Sequence, residues 1–247
     1  PALIRRHRDA RGVADLRTKL VKLSQEATLA ELEFMATDPA TVAVGGAVLV
    51  ISPLPAHQAS DWSATLAGMY RAWAHRQGFE TNSEAEAGGA ALVAIRGPNV
   101  AAILAGERGV HQRACRDEAG GSKRRLLDLA RVEMLPIASP DHVADERDED
   151  GAGTRPARTA ATPGVPTVRV AAGADGAALA SAVLAARQHA SARDDGTEVV
   201  RVYELAVRHL VRDRRTGVVS HHPRAVLGGD LDVFLLASLR RPADPVR

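Results

Sequence analysis

The sequence is poor in cysteine and in long apolar runs, and each shortage excludes a class of protein. Its single cysteine, Cys115, excludes an internal disulfide framework and is typical of a reducing compartment. No apolar run approaches the roughly 20 residues that a membrane-spanning helix needs. Residues 1–12 contain no signal-peptide core. We therefore expect a cytoplasmic protein with no membrane partner.

The chain also lacks a strong excess of charge of either sign. Its 247 residues carry a formal net charge of +2, so the overall balance does not demand a nucleic-acid partner. The distribution is uneven, because acids crowd into residues 141–150 whereas arginine and histidine crowd into residues 201–224. Arginine far outnumbers lysine, which a GC-rich genome would explain. Arginine-rich surfaces nevertheless suit phosphate binding.

What is present is an ordinary globular composition, 45% hydrophobic and 25% charged, patterned as a mixed α+β fold. We predict helices over residues 15–36, 58–77, 98–104, 175–193 and 230–241, the last with Asp230 as its N-cap. We predict strands over residues 45–52, 90–97, 126–137, 166–172 and 198–205. The leading helix carries Leu16, Leu20, Leu23 and Ala27 on one stripe. Residues 138–164 are acidic and aperiodic, which indicates a linker or loop.

The helix over residues 58–77 is the best-formed element of the sequence. Trp62, Leu66, Met69 and Trp73 fall on one apolar face, and Gly78 follows as the stop signal. Aromatic residues make up only 3% of the chain, and both tryptophans lie on this stripe. We expect them to be core anchors rather than parts of a ligand site.

Three stretches resemble bacterial class I peptide chain release factors of the UGA-reading type. Residues 61–81, "DWSATLAGMYRAWAHRQGFET", resemble the family's D-W-x-x-M-L-x-R-M-Y-x-R-W-A-E-x-x-G-F helix, and "GERGVHQ" resembles its E-x-G-V-H-R. Residues 201–239 resemble its C-terminal R-S-Y-V-L…V-K-D-x-R-T-G…A-V-L-D-G-D-L-D stretch. The likeness covers most of the chain, and its tryptophan and glycine spacing makes it specific.

The resemblance implies a ribosome-binding fold with one domain that reads a stop codon and another that hydrolyses peptidyl-tRNA. It divides the chain into a helical segment (1–42), a codon-recognition-like domain (43–137), an acidic linker with a shortened relic of the hydrolytic domain (138–195), and a C-terminal segment packing on the middle domain (196–247).

The codon-reading positions of the family hold unsuitable residues here. An ungapped count from His111 places the family's Ser-Pro-Phe triplet on Asp117, Glu118 and Ala119, and its following histidine and threonine on Leu126 and Leu127. Reading a base requires hydrogen-bonding groups and a ring for stacking. Two carboxylates repel phosphates, and alanine and leucine offer neither group. We therefore expect stop-codon reading to be lost.

A basic cluster follows the codon-reading positions, and it can still contact a phosphate backbone. Arg124 and Arg125 align with the family's arginine pair, and Lys123 precedes them. Gln112, in contrast, replaces the arginine of the family's G-V-H-R pattern, and "SPLPAHQA" stands where the family has G-S-G-G-T-E-A.

The catalytic Gly-Gly-Gln loop of the family has no counterpart in the sequence. Glycine pairs occur at 45–46, 88–89, 120–121 and 228–229, and the residues that follow them are Ala47, Ala90, Ser122 and Asp230. The family's glutamine and backbone amide act beside the ester, where they stabilise the developing oxyanion. We therefore expect no catalytic residue and no enzymatic activity.

Other candidate sites in the sequence are weaker. His221 and His222 are adjacent and lack a third ligand, so we expect no metal and no cofactor. Cys115 and His111 could form a nucleophile–base pair, but no orienting group accompanies them.

The turn "VRDRRTG" holds Arg212, Arg214 and Arg215, for which a solvated tip and an rRNA contact are equally favoured.

The leading hypothesis is a monomeric, non-catalytic paralogue that binds the ribosome or rRNA, with mRNA as a further partner. It would regulate translation termination or occupy idle ribosomes. Two alternatives stay open: an RNA-binding module acting on a specific transcript away from the ribosome, and a protein-interaction scaffold that docks through its acidic linker.

Overall fold

A computed structural model describes residues 2–37, 44–55, 61–85, 89–116, 125–138, 167–169, 176–188, 198–206 and 208–241. Six α-helices lie in these ranges: α1 (Ala2–Ala36), α2 (Trp62–Arg76), α3 (Val100–Leu104), α4 (Gly176–Gln188), α5 (Pro223–Leu227) and α6 (Asp232–Arg240). No helix in this part of the chain combines the length and the apolar character required to cross a bilayer.

The strands form a single eight-stranded sheet in the order β2-β3-β1-β5-β4-β6-β7-β8. Their bounds are β1 (Val44–Pro53), β2 (Glu80–Ala85), β3 (Ala91–Arg96), β4 (Gly109–Arg116), β5 (Arg125–Ala138), β6 (Val199–Glu204), β7 (Leu210–Asp213) and β8 (Val219–Ser220). All neighbours are antiparallel except β4 and β6. The mixed α+β prediction is confirmed, and the C-terminal strands continue the sheet that β1 to β5 begin.

Helix α2 packs its apolar stripe on one face of this sheet. Trp62, Leu66, Met69 and Trp73 are all at most 1% exposed, which confirms their prediction as core residues. They join a cluster that includes Leu49 of β1 and residues of α3 and α6. Burial of large apolar side chains is the main stabilising contribution to such a core.

Helix α4 covers part of the opposite face. Its Leu179 and Val183 cluster with Val48 and Val50 of β1, whose side chains alternate with those that face α2. Of the strand predicted over 166–172, the structure describes residues 167–169, where Val168 forms an isolated bridge to Ile137. The other positions lie outside the described residues.

The leading helix differs from its prediction in length and in burial. It begins at Ala2 rather than at residue 15, and the predicted stripe faces solvent, with Leu16, Leu20 and Leu23 each at least 64% exposed. Only the C-terminal end of α1 reaches the core, through Leu32 and Ala36. An ion pair between Glu31 and Arg240 adds a second contact, to α6.

Four of the described strands were missed by the sequence analysis, namely β2, β4, β7 and β8. Strand β4 occupies residues that were interpreted as a loop, and the polar strand β2 forms a sheet edge. The sequence of β4 does not alternate between apolar and polar residues. Its His111 is buried with its ring hydrogen-bonded, and its Arg113 is ion-paired. Satisfied polar groups can thus replace apolar ones inside a sheet.

The predicted N-cap of the last helix was also wrong. The helix starts at Asp232, Leu231 is its N-cap, and Asp230 is exposed. The Asp232 carboxylate accepts hydrogen bonds from Trp73 Nε1 at 3.0 Å and from Gln77 Nε2 at 2.8 Å. Through these hydrogen bonds Asp232, rather than Asp230, connects the start of α6 to α2 and the residue that follows α2. Burial raises the pKa of Asp232, and the hydrogen bond from Trp73 opposes that shift.

Candidate nucleic-acid interface

Strands β4 and β5 form a long antiparallel hairpin that presents the predicted reading loop. Arg116 is the last residue of β4 and pairs with Arg125, the first of β5, so residues 117–124 connect the two strand ends. Asp117, Glu118, Ala119, Lys123 and Arg124 lie outside the described residues. In β5, Leu126 follows Arg125, and Leu127 is 45% exposed.

Arg113 fastens the hairpin close to this connection. It lies opposite Asp128 in the register, and its Nε donates to Asp128 Oδ2 at 2.8 Å. Its second donor reaches Asp61 Oδ1 at 2.7 Å, which bridges the hairpin to the start of α2. Burial alone would lower the pKa of Arg113, but its hydrogen bonds to Asp128 and Asp61 raise it. The guanidinium therefore stays charged and holds two elements together.

Trp62 makes a second bridge between α2 and β4. Its Nε1 donates to the backbone carbonyl of His111 at 2.9 Å. Arg113 stacks over its ring, with the guanidinium carbon 5.0 Å from the ring centroid. Tyr203 of β6 meets the same ring edge-on at 4.9 Å. The base of the hairpin is thus held from the helix and from the adjacent strand.

A buried ion pair lies at the other end of the hairpin. Arg201 of β6 donates to both carboxylate oxygens of Glu107, at 2.8 and 2.6 Å, and both side chains are fully buried. Tyr70 of α2 also donates to this carboxylate, at 2.8 Å. Burial would raise the pKa of Glu107, but the Arg201 charge, the nearby His111 and the hydrogen bonds from Arg201 and Tyr70 together lower the pKa overall. The carboxylate is therefore ionised and fully paired.

His111 joins this network from β4. Its Nε2 lies 3.0 Å from the backbone carbonyl of Glu107, and its Nδ1 lies 3.4 Å from the Tyr203 hydroxyl. Burial lowers the pKa of His111 to about 4, although the nearby Glu107 charge opposes this shift. The imidazole is therefore neutral at physiological pH and acts as a structural bridge.

Asp213 extends the network to the turn between β7 and β8. Its Oδ2 lies 3.3 Å from Arg201, and its Oδ1 accepts from the backbone N–H groups of Arg215 and Thr216 at 3.0 and 2.9 Å. The Arg215 side chain donates to Glu198 at 3.0 Å and to the Gly106 carbonyl at 3.2 Å. Arg215 thus anchors the turn.

Arg212 and Arg214 of the same turn region are exposed. Arg214 nevertheless lies toward the opposite end of the sheet from Arg125, the described residue of the basic cluster. The N–H of Arg214 bonds to Val200, near the beginning of β6, whereas Arg125 pairs with the last residue of β4. Along β4, the distance from Val110 to Arg116 is about 20 Å at the ordinary rise of a strand. Arg125 and Arg214 therefore do not belong to one patch.

The pairing of Cys115 with His111 is not formed. Four positions along a strand correspond to about 13 Å, and Cys115 Sγ instead lies 3.7 Å from Asp128 Oδ2. Burial raises the pKa of Cys115, which disfavours the thiolate that a nucleophile requires. His221 and His222 are exposed, and in the described ranges no three potential ligands cluster around a metal position.

The sequence analysis missed Glu107, Arg201 and Arg113 as a group. A usable signal existed for Arg201, because an arginine enclosed by valines and a tyrosine in "VVRVYE" requires a buried partner. No sequence signal identifies Glu107 as that partner, since 94 positions separate the two.

Known proteins resemble this chain in sequence. The PCRF domain family matches residues 46–125, from β1 to the beginning of β5. Peptide chain release factor 2 of Chloroflexus aggregans is 27% identical over 92% of this chain and 73% of its own length. Peptide chain release factor 2 of Thermomicrobium roseum is 29% identical over 75% of this chain and 60% of its own. The chain thus spans between three fifths and three quarters of these relatives.

A solved structure shares the fold. The model superposes on release factor 2 of Thermus thermophilus with a TM-score of 0.59 at 23% identity, covering 92% of this chain and 78% of the other. The fold, the family match and the sequence relatives together confirm the resemblance drawn from "DWSATLAGMYRAWAHRQGF" and "GERGVHQ". The chain is similar to bacterial peptide chain release factor 2 in sequence and in fold.

Proposed function

We propose that this protein binds the ribosome through the release-factor scaffold without reading a stop codon or hydrolysing peptidyl-tRNA. Such a protein would regulate translation termination or occupy idle ribosomes. Its partners would be rRNA and the mRNA strand beside it.

The observation that supports this proposal is a firmly held hairpin with an unsuitable tip. Arg113 and Trp62 fasten β4 to α2 close to the connection. A rigid support of this kind is what positioning of a recognition loop requires. The sequence between the strand ends nevertheless carries Asp117 and Glu118, whose carboxylates repel phosphates, and Ala119, which cannot stack on a base. The support is retained while the recognition chemistry is missing.

The hydrolytic half of the proposal rests on the absence of a Gly-Gly-Gln sequence anywhere in the 247 residues. We interpret α4 and the bridge at Val168 as the shortened relic of the hydrolytic domain. Helix α4 packs its apolar face on β1 and β5 of the sheet. That packing would hold the relic against the sheet rather than extend it toward a distant ester.

Co-sedimentation with purified ribosomes tests the binding half. We expect a bound fraction at low salt that falls as salt rises, because contacts to phosphates release counterions. Absence of any ribosome-bound fraction at low salt would refute the binding half. RNA that copurifies with the protein as one transcript, without rRNA, would favour the module that acts away from the ribosome.

A peptide release assay tests the catalytic half. Ribosomes carrying labelled peptidyl-tRNA are programmed with each stop codon and with a sense codon, and a release factor 2 serves as the positive control. We expect no release above the rate without factor at any codon. Release at any of these codons would refute the claim that catalysis is lost.

A further inference from the structure

A cavity of about 680 Å³ opens between the β6–β7 turn and the beginning of α5. We propose that it binds one unpaired nucleotide of a single-stranded RNA. The inference rests on the proposed RNA-binding function and goes beyond it, because it adds a contact that the reading-loop positions do not supply.

The chemistry of the cavity wall suits this ligand. His209, His221, His222 and Arg224 line it, together with apolar residues such as Leu205 and Pro223, and none of its described lining residues carries a carboxylate. Imidazole rings and guanidinium planes stack on splayed bases, and arginine pairs with phosphate. The volume falls within the range of about 300 to 1,000 Å³ typical of small-ligand sites.

The cavity lies at the end of the sheet where β6 finishes beside the last residues of β4. Glu204, at the end of β6, pairs with Ala114 of β4, and Leu205 N–H bonds to the Ala114 carbonyl. Arg116 lies two residues beyond Ala114 on β4, which corresponds to about 7 Å along the strand. A single strand of RNA that passes the end of β4 can therefore insert a base into the cavity.

The backbone of His209 supports a binding role. Its φ of 46° lies in the left-handed region, which L-residues rarely adopt. Such conformations cluster at ligand sites because the surroundings must hold them. His221 and His222 are both exposed, so their rings are accessible to an incoming base.

Fluorescence anisotropy with a labelled single-stranded RNA of about ten nucleotides tests the proposal directly. The variant combines His221→Ala, His222→Ala and Arg224→Gln, and circular dichroism verifies that it folds. His209→Asn is a second variant, because asparagine tolerates the left-handed backbone. Lys22→Gln is the matched control: its side chain lies exposed on α1, and its substitution also removes one positive charge.

We expect the triple variant to raise the Kd about tenfold, which is the loss of one stacked base with its phosphate contact. His209→Asn should raise the Kd severalfold, and Lys22→Gln less than twofold. A duplex of the same sequence should bind the wild type more weakly, because its bases are already stacked. An equal Kd for the wild type and the triple variant would overturn the proposal.

Photocrosslinking distinguishes this inference from the proposed function. A 4-thiouridine-containing strand should crosslink within residues 208–224 of the wild type. If the wild type co-sediments with ribosomes but crosslinks only elsewhere, the cavity proposal fails and ribosome binding stands. If it binds the short strand in the cavity but no ribosome, the cavity stands and the ribosomal function fails.

Discussion

Arg201 and Glu107 form a bidentate ion pair at zero exposure, with N–O distances of 2.8 and 2.6 Å, although 94 positions separate them in the chain. Glu107 lies directly before β4, and Arg201 lies within β6. The pair therefore ties the C-terminal strands to the hairpin that carries the basic connection, at the point where the parallel β4–β6 contact begins.

Replacement of Arg201 by methionine should destabilise the protein by about 3–5 kcal/mol, because it leaves the Glu107 carboxylate buried without its cation. Urea unfolding followed by tryptophan fluorescence measures this change. The double variant Arg201→Met with Glu107→Leu should be less destabilised than Arg201→Met alone, since the Glu107 charge is removed and Asp213 keeps its hydrogen bonds from the backbone of Arg215 and Thr216. A double variant at least as unstable as the single one would contradict this assignment.

His111 should make stability fall on acidification. The folded protein keeps it neutral down to its lowered pKa of about 4, whereas the unfolded chain protonates histidine near pH 6.5. The unfolded state therefore takes up the proton first, and stability falls as pH decreases from about 6.5 to 4 and levels off above that window. The full contribution is about 3 kcal/mol.

Unfolding free energies measured across this window test the assignment. The slope should flatten in His111→Asn, which cannot titrate there, but not in His75→Asn, which changes an exposed histidine of α2. An unchanged slope in His111→Asn would assign the pH dependence to other groups.

Gly229→Ala should cost about 1–3 kcal/mol in stability. Its φ is +97°, and a Cβ there would lie 2.5 Å from the backbone nitrogen of Trp73. The matched control is Gly68→Ala within α2, where an added Cβ meets nothing within 4 Å. Because alanine favours helix, that control should stabilise by about 0.5–1 kcal/mol. Thermal unfolding should therefore give melting temperatures that move in opposite directions.

The two basic groups should contribute unequally to ribosome binding. Removal of the hairpin charges, by Lys123→Gln, Arg124→Gln and Arg125→Gln, should weaken co-sedimentation at low salt about tenfold or more and reduce the salt dependence. Arg212→Gln with Arg214→Gln should have a smaller effect, because Arg214 lies toward the opposite end of the sheet from the cavity. The reverse order would move the RNA path to the β7–β8 turn.

Neutralisation of the two carboxylates in the reading-loop positions should strengthen binding. Asp117→Asn with Glu118→Gln removes repulsion from nearby phosphates, so we expect a severalfold larger ribosome-bound fraction at low salt. The gain should shrink as salt rises, because counterions screen the repulsion. Asp15→Asn, an exposed change on α1, is the control. A decrease in binding would indicate that these carboxylates contact a partner.

The candidate interface was predicted unevenly. Periodicity identified α2 and its buried tryptophans, because an amphipathic pattern reports which face an isolated helix buries. The same reasoning failed for α1, whose leucine stripe is exposed, because a pattern does not state whether a partner surface is present. Strand β4 was not predicted because its His111 and Arg113 are polar. Both are paired with groups distant in sequence, Tyr203 and Asp61.

The sequence by itself determined the composition of the hairpin connection, the absence of a Gly-Gly-Gln loop and the helical face carrying Trp62 and Trp73. These are local properties, fixed by the order of residues and by short-range periodicity. Only the tertiary structure decided that Glu107 pairs with Arg201, that Arg113 joins Asp61 to Asp128, and that three histidines meet at one cavity. Such contacts depend on which strands become neighbours, and that choice is made by burial of the whole sheet rather than by any single segment.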